Sequence, residues 1–130
     1  GNRILKNEPY NNWPFVENLT CPQHDVFPTG VGGVLYPPHC CNRFVTDMEV
    51  IKKTCLRADD LWLNFMSRLN HTKVVQTGLK STYMVLPDTS QQTALWLVNN
   101  DVVQVGNDVQ INEITKWSLK ELNCDYFVNV

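Results

Sequence analysis

The sequence predicts a mixed α/β domain, and three observations carry that prediction. Segments 46–56 and 58–69 repeat apolar residues at helical spacing, and a third such segment opens at Asn107-Asp108. Between and around them lie short β-branched or glycine-bounded runs of strand length, such as Val34-Leu35-Tyr36 and 72–76. The chain's 130 residues, 43% apolar and 18% charged, suit a globular chain of one domain with its own core. Residues 1–130 are therefore expected to form a single domain.

Taken in order, residues 3–8 read as a short strand or extended edge. Pro9 and Pro14 bracket Tyr10-Asn11-Asn12-Trp13 and rule out a helix interior, so this segment is a loop. Between Phe27 and Pro38, Gly30, Gly32 and Gly33 give the backbone freedom. Val34-Leu35-Tyr36 then read as a buried strand stopped by Pro37-Pro38. The spacing predicts a helix from Thr46 to Leu56, opened by a Thr46-x-x-Glu49 capping box, with Met48, Ile51 and Cys55 in register. In 58–69, Leu61, Trp62, Phe65, Met66 and Leu69 form one apolar stripe, which puts Asp59 and Asp60 at the N-terminal end of a second helix. Residues 72–76 form a short strand before a turn at Gly78, while Tyr83 to Leu86 and Gln91 to Val98 are candidates for another strand and for one or two helical turns. A final helix should run from Asn107 to about Leu122, with Ile111, Ile114, Leu119 and Leu122 on one side, before an apolar tail at Tyr126-Phe127-Val128.

Charge and cysteine usage exclude several classes. Eleven basic and thirteen acidic residues leave a net charge of −2, and the Lys and Arg are scattered, which argues against a nucleic-acid partner. Five cysteines, two of them adjacent, do not make the even, spaced framework of a secreted disulfide domain and favour a reducing compartment. Without a secretory signal, the sequons at Asn18 and Asn70 carry little weight. No run approaches 18 apolar residues, so a soluble chain with no transmembrane segment is expected, and the opening Gly1-Asn2-Arg3 suggests a truncated start. Cys21-x-x-His24 and His39-Cys40-Cys41 supply zinc-ligand types, but the second half of a zinc motif is missing and no metal ligand is assigned. No order of Ser-His-Asp or Cys-His-Asn suggests a hydrolase.

The most informative constellation joins Thr29-Gly30-Val31-Gly32-Gly33-Val34-Leu35-Tyr36-Pro37-Pro38 to Ala58-Asp59-Asp60-Leu61-Trp62, some twenty residues later. Together these resemble the second half of GT-A-fold glycosyltransferases, in particular bacterial ones of the surface or capsular polysaccharide type. Pro9-Tyr10-Asn11-Asn12-Trp13 and Asn107-Asp108-Val109-Gln110-Ile111 are similar to the flanking segments, so the resemblance spans most of the chain. It implies a partial GT-A-like domain, a short mixed sheet flanked by helices, that lacks the nucleotide-binding N-terminal half. It implies a role in glycosyl transfer from a nucleotide-sugar donor to a saccharide acceptor, with Asp60 as catalytic base and Asp59 beside it. Gly30, Val31, Gly32, Gly33, Tyr36 and Trp62 would line the sugar pocket.

The residues themselves permit that chemistry and also a plainer one. Glycines let a backbone approach a sugar ring and present N–H groups to its hydroxyls, although they equally allow a turn before a strand. Sugar transfer needs a carboxylate to take the acceptor's proton, and of two adjacent carboxylates one would have its pKa raised by the other. Yet Asp is also a preferred helix cap, and the helix pattern alone favours that structural role. Trp62 lies on the apolar stripe, which makes it core first and sugar platform second.

The family binds its donor through an Asp-x-Asp motif that holds a divalent cation, and no Asp-x-Asp occurs here; the nearest pattern, Asp47-Met48-Glu49, falls at a helix start. The 130-residue chain alone is thus expected to be inactive, with Mn²⁺ or Mg²⁺ and a nucleotide sugar used by the complete enzyme. The partners implied are the donor, the acceptor and the missing half, in the cytoplasm or peripheral at the inner membrane face. The alternative is a non-catalytic carbohydrate-binding or interaction domain that keeps the pocket without the chemistry.

Overall fold

Helix α2 (Asp59–Leu69) is the axis of the core. Its stripe of Leu61, Trp62, Phe65 and Met66 is buried, as the helical spacing requires. The computed structural model describes residues 1–79 and 106–130. These form a mixed α/β arrangement: β1 (Asn2–Arg3), β2 (Val26–Phe27), α1 (Met48–Thr54), α2 and α3 (Asn107–Leu122), with 3-10 turns at Tyr10–Asn12, Gly30–Gly32 and Arg43–Thr46. The expected elements at Tyr83 to Leu86 and Gln91 to Val98 lie outside the described residues.

The sheet is smaller than the sequence suggests. β1 and β2 pair antiparallel, with Asn2 opposite Phe27 and Arg3 opposite Val26. Isolated bridges join Asn2 to Phe15 and Gln23 to Val74. The Arg3 guanidinium closes this edge, bonding to Gln23 Oε1 and, at 2.6 Å, to Asp25 Oδ2. Where residues 72–76 were expected to form a strand, only Val74 pairs, exchanging two backbone bonds of 2.9 and 2.8 Å with Gln23. Two residues later Gln76 adds a backbone bond from its N–H to Leu19 O at 3.1 Å, and its side chain accepts from the Leu19 N–H and donates to Val16 O.

Val34-Leu35-Tyr36 form no strand either. Gly33 turns the chain at φ +83, the two prolines that follow have no N–H to offer a ladder, and Leu35 is 90% exposed. The expected buried strand is an extended surface segment.

Helix α1 begins later than its sequence predicts. Thr46 closes the 3-10 turn, so its capping box does not form. Asp47 is the N-cap, and its side chain accepts from Val50 N–H at 3.2 Å. Met48 faces outward, while Cys55, just past the helix, is buried. In α3 the buried set is Asn107, Gln110, Ile111, Ile114 and Ser118, a face rotated from the expected one; Leu119 is 53% exposed. The helix ends at Asn123 in the left-handed region, a conformation Asn tolerates.

The C-terminal tail completes the core. Tyr126 is fully buried and stacks on Phe65, with ring centroids 5.6 Å apart. Arg68, on the last turn of α2, is 1% exposed, and its guanidinium carbon lies over the Tyr126 ring, 4.5 Å from the centroid.

Candidate functional site

Asp59 and Asp60 are the first two residues of α2, as expected, but neither is its cap. Ala58 occupies the N-cap position and makes no side-chain cap bond. Asp59 is exposed, whereas Asp60 is half-buried and accepts the Leu61 N–H at 3.0 Å. The capping role weighed for this pair is therefore played by neither.

Burial raises the Asp60 pKa above the ordinary carboxylate value, and the neighbouring Asp59 charge raises it further. The backbone N–H groups of Leu61, of Asp60 itself and of Gly30 oppose the shift by favouring the ionised form, and burial prevails. The result is a carboxylate at a helix N-terminus with raised proton affinity.

The Gly30 amide lies near enough to this carboxylate to favour its ionised form. Residues Gly30–Gly32 form one 3-10 turn, closed by Gly33 N–H donating to Gly30 O at 3.0 Å. Gly33 needs its φ of +83, which a side chain would strain. Gly30 has no such backbone need, since a Cβ built there meets nothing within 4 Å. The space beside Gly30 is open to a ligand.

Three tyrosines sense Asp60. Burial, then the charge of Asp60, pushes the Tyr10 hydroxyl up to about 12. Tyr36 is likewise pushed up to about 12, by burial first and then by Cys41, Asp60, Asp59 and Cys40. Burial also raises Tyr126, with the Arg68 charge opposing and Asp60 adding to it. All three hydroxyls therefore stay protonated at neutral pH. Tyr10 is held by its ring contact with Trp13 at 5.0 Å and by its N–H, which donates to Asp108 Oδ1 at 2.8 Å. Sequence reasoning placed Tyr10 only in a flanking loop and Tyr126 only in an apolar tail. A tyrosine between prolines, or ending an apolar run, carries a polar tip that was the available signal.

Trp62 departs from the sugar-pocket assignment. It is 2% exposed, its indole N–H donates to Val45 O at 3.0 Å, and its ring meets Trp117 at 5.5 Å. Both its polar tip and its faces are used by the core, so it is not a sugar platform. Thus Gly30, Tyr36, Asp59 and Asp60 come together, and Trp62 does not join them.

Elsewhere, a shallow groove lined by His24, Asp25, Lys73 and Asn129 shares no residue with this site. Among the described residues no three of His, Cys, Asp and Glu gather to hold a metal ion. No helix among them is long and apolar enough to cross a membrane. No protein-family model matches the chain, and neither does any curated protein or solved structure.

Proposed function

We propose that this chain provides the acceptor-side, catalytic-base region of a GT-A-type glycosyltransferase acting in polysaccharide biosynthesis, which moves a sugar from a nucleotide-sugar donor to a saccharide acceptor. The observation that carries this reading is Asp60: half-buried, with raised proton affinity, beside an open glycine turn. As the acceptor oxygen attacks the anomeric carbon, its proton passes to the Asp60 carboxylate and the nucleoside diphosphate departs. The protonated Tyr36 and Tyr10 hydroxyls are donors available to the carboxylate or to sugar oxygens. On this reading Mn²⁺ or Mg²⁺ is used together with the nucleotide sugar by the complete enzyme.

The test is turnover by the complete protein on a panel of sugar nucleotides and saccharide acceptors. Asp60→Asn keeps shape and hydrogen-bonding capacity but removes the proton acceptor, so the rate should fall by roughly 10²–10⁴-fold with donor binding unchanged. Asp59→Asn should cost less. If both variants keep more than about a tenth of the rate, well short of a general-base loss, the base assignment fails and the non-catalytic carbohydrate-binding reading replaces it. In calorimetry the 130-residue chain alone should bind nucleotide diphosphates weakly. Binding near −8 kcal/mol or about 1 μM would instead put a donor site within it.

A further inference from the structure

The Cys40-Cys41 pair takes no part in the chemistry above, and its geometry is specific. Both thiols are free, and their Sγ atoms lie 3.6 Å apart. Cys41 Sγ also lies 3.4 Å from Ser67 Oγ on α2. The turn that carries them is tied down on both sides. Thr72 Oγ1 donates to Cys40 O at 2.7 Å, Asn70 Nδ2 to His39 O at 2.6 Å, and Asn42 N–H to Met66 O at 3.0 Å. His39 holds φ +64 to make the turn. The backbone that carries the two sulfurs is therefore held in place, and the Ser67 hydroxyl lies within contact of one of them.

That separation suits a bridging atom better than a direct bond. An S–S bond is about 2.05 Å long and usually joins Cα atoms at least 4.4 Å apart, beyond the about 3.8 Å of neighbouring residues. By contrast, a centre bound at about 2.3 Å to each sulfur with a tetrahedral angle between them holds the sulfurs about 3.8 Å apart, close to the spacing observed.

We propose that Cys40 and Cys41 form a dithiol site that takes one thiophilic centre across both sulfurs, the fitting class being a trivalent organoarsenical, which requires two protein sulfurs and no other ligand. In the reaction two S–H bonds break and two As–S bonds form. The arsenic-bound oxygen leaves as water with both thiol protons, and arsenic remains trivalent. Cys41 is partly exposed and reacts first; Cys40, 8% exposed, closes the ring. Burial and the contact with Cys41 raise the Cys40 pKa, so this thiol stays protonated at neutral pH. Simple alkylation, which needs thiolate, is correspondingly slow there.

The experiment uses the 130-residue chain, phenylarsine oxide and intact-mass spectrometry. One adduct per chain is expected, with loss of one water, resistant to excess 2-mercaptoethanol and removed by 2,3-dimercaptopropanol. Because the second sulfur attacks from within the molecule, resistance to the monothiol should exceed that of a single-thiol adduct by about tenfold or more. Cys41→Ser and Cys40→Ser should each lose the resistant adduct, and Cys21→Ser, at the exposed single thiol, should keep it. Circular dichroism checks folding; Cys41→Ser, at a partly exposed position, decides the matter if the buried Cys40→Ser does not fold. An adduct that 2-mercaptoethanol strips from the unsubstituted chain, that survives in folded Cys41→Ser, or that vanishes in Cys21→Ser overturns the proposal.

Discussion

The two ends of helix α2 handle charge in opposite ways. At its start Asp60 is half-buried and supported by backbone N–H groups, so its ionisation is tuned but still in touch with solvent. At its end Arg68 is sealed in, and by geometry neither its Nε, Nη1 and Nη2 nor the Tyr126 hydroxyl beside it has a hydrogen-bond partner among the described residues. Burial lowers the Arg68 pKa, opposed by Tyr126 and Asp125, and the guanidinium rests on an aromatic face instead of in a fork of acceptors. A charge kept at the rim by amides can exchange a proton with a ligand. One enclosed by rings can only shape the core.

The largest effect should come from the enclosed end. Arg68→Ala removes the stem as well as the charge, and the cavity should cost about 2 kcal/mol or more of stability, measured by denaturant unfolding. Arg68→Met keeps most of the volume. A desolvated cation–π contact is worth about 2 kcal/mol, whereas burying a charge costs several, so Arg68→Met should lie within about 1.5 kcal/mol of the parent. If it is as damaging as Arg68→Ala, the contact with Tyr126 outweighs the burial and the contrast between the ends collapses.

A smaller effect is expected at the rim. Because the folded-state pKa of Asp60 is raised, folding favours the neutral carboxyl. That favour is present below the ordinary Asp range and is lost as pH rises through the folded value. Asp60→Asn should therefore raise the thermal midpoint at pH 7, and the gain should shrink as the pH is lowered through the folded value and be gone below about 4, the unfolded Asp value. A midpoint that falls at neutral pH would mean that the amide bonds matter more than the desolvation.

The smallest effects divide the glycine turn. Gly33→Ala meets a positive φ and should cost about 1 kcal/mol, while Gly30→Ala should change stability by less than about 0.5 kcal/mol, having open space around it. Should Gly30→Ala nonetheless reduce turnover, the open space is used by a ligand. Equal stability losses at both glycines would mean the turn is held by packing that the open geometry does not reveal.

Helices were the legible part of this chain because their signal is local. The 61-62-65-66 stripe and the start of α3 at Asn107 follow from spacing alone. Strands were not, since a strand exists only if a partner lies beside it. Val34 to Tyr36 have strand composition but no strand beside them among the described residues, and the pairing that does occur, at Asn2, Arg3, Val26 and Phe27, meets the expected 3–8 edge only at Arg3. The cap of α1 was misplaced by one residue because Thr46 and Asp47 are both good caps, and the 3-10 turn decides between them. Of the site, the carboxylate pair and glycine turn could be read from motifs. Their approach to one another, and the part of Tyr10 and Tyr126, depend on long-range packing that no window of sequence displays.

The bond from Tyr10 N–H to Asp108 Oδ1 spans 98 positions, and it constrains the order in which the molecule can assemble. α1 and α2 adjoin in sequence and can form early, but the faces they need to cover, Ile111, Ile114 and Tyr126, come from the far end of the chain. Closing so long a loop slows the rate-limiting encounter far more than it weakens the final state. During synthesis the apolar stripe of α2 therefore stays uncovered until residues 111–126 have emerged, and the Tyr10–Asp108 bond can close only after that.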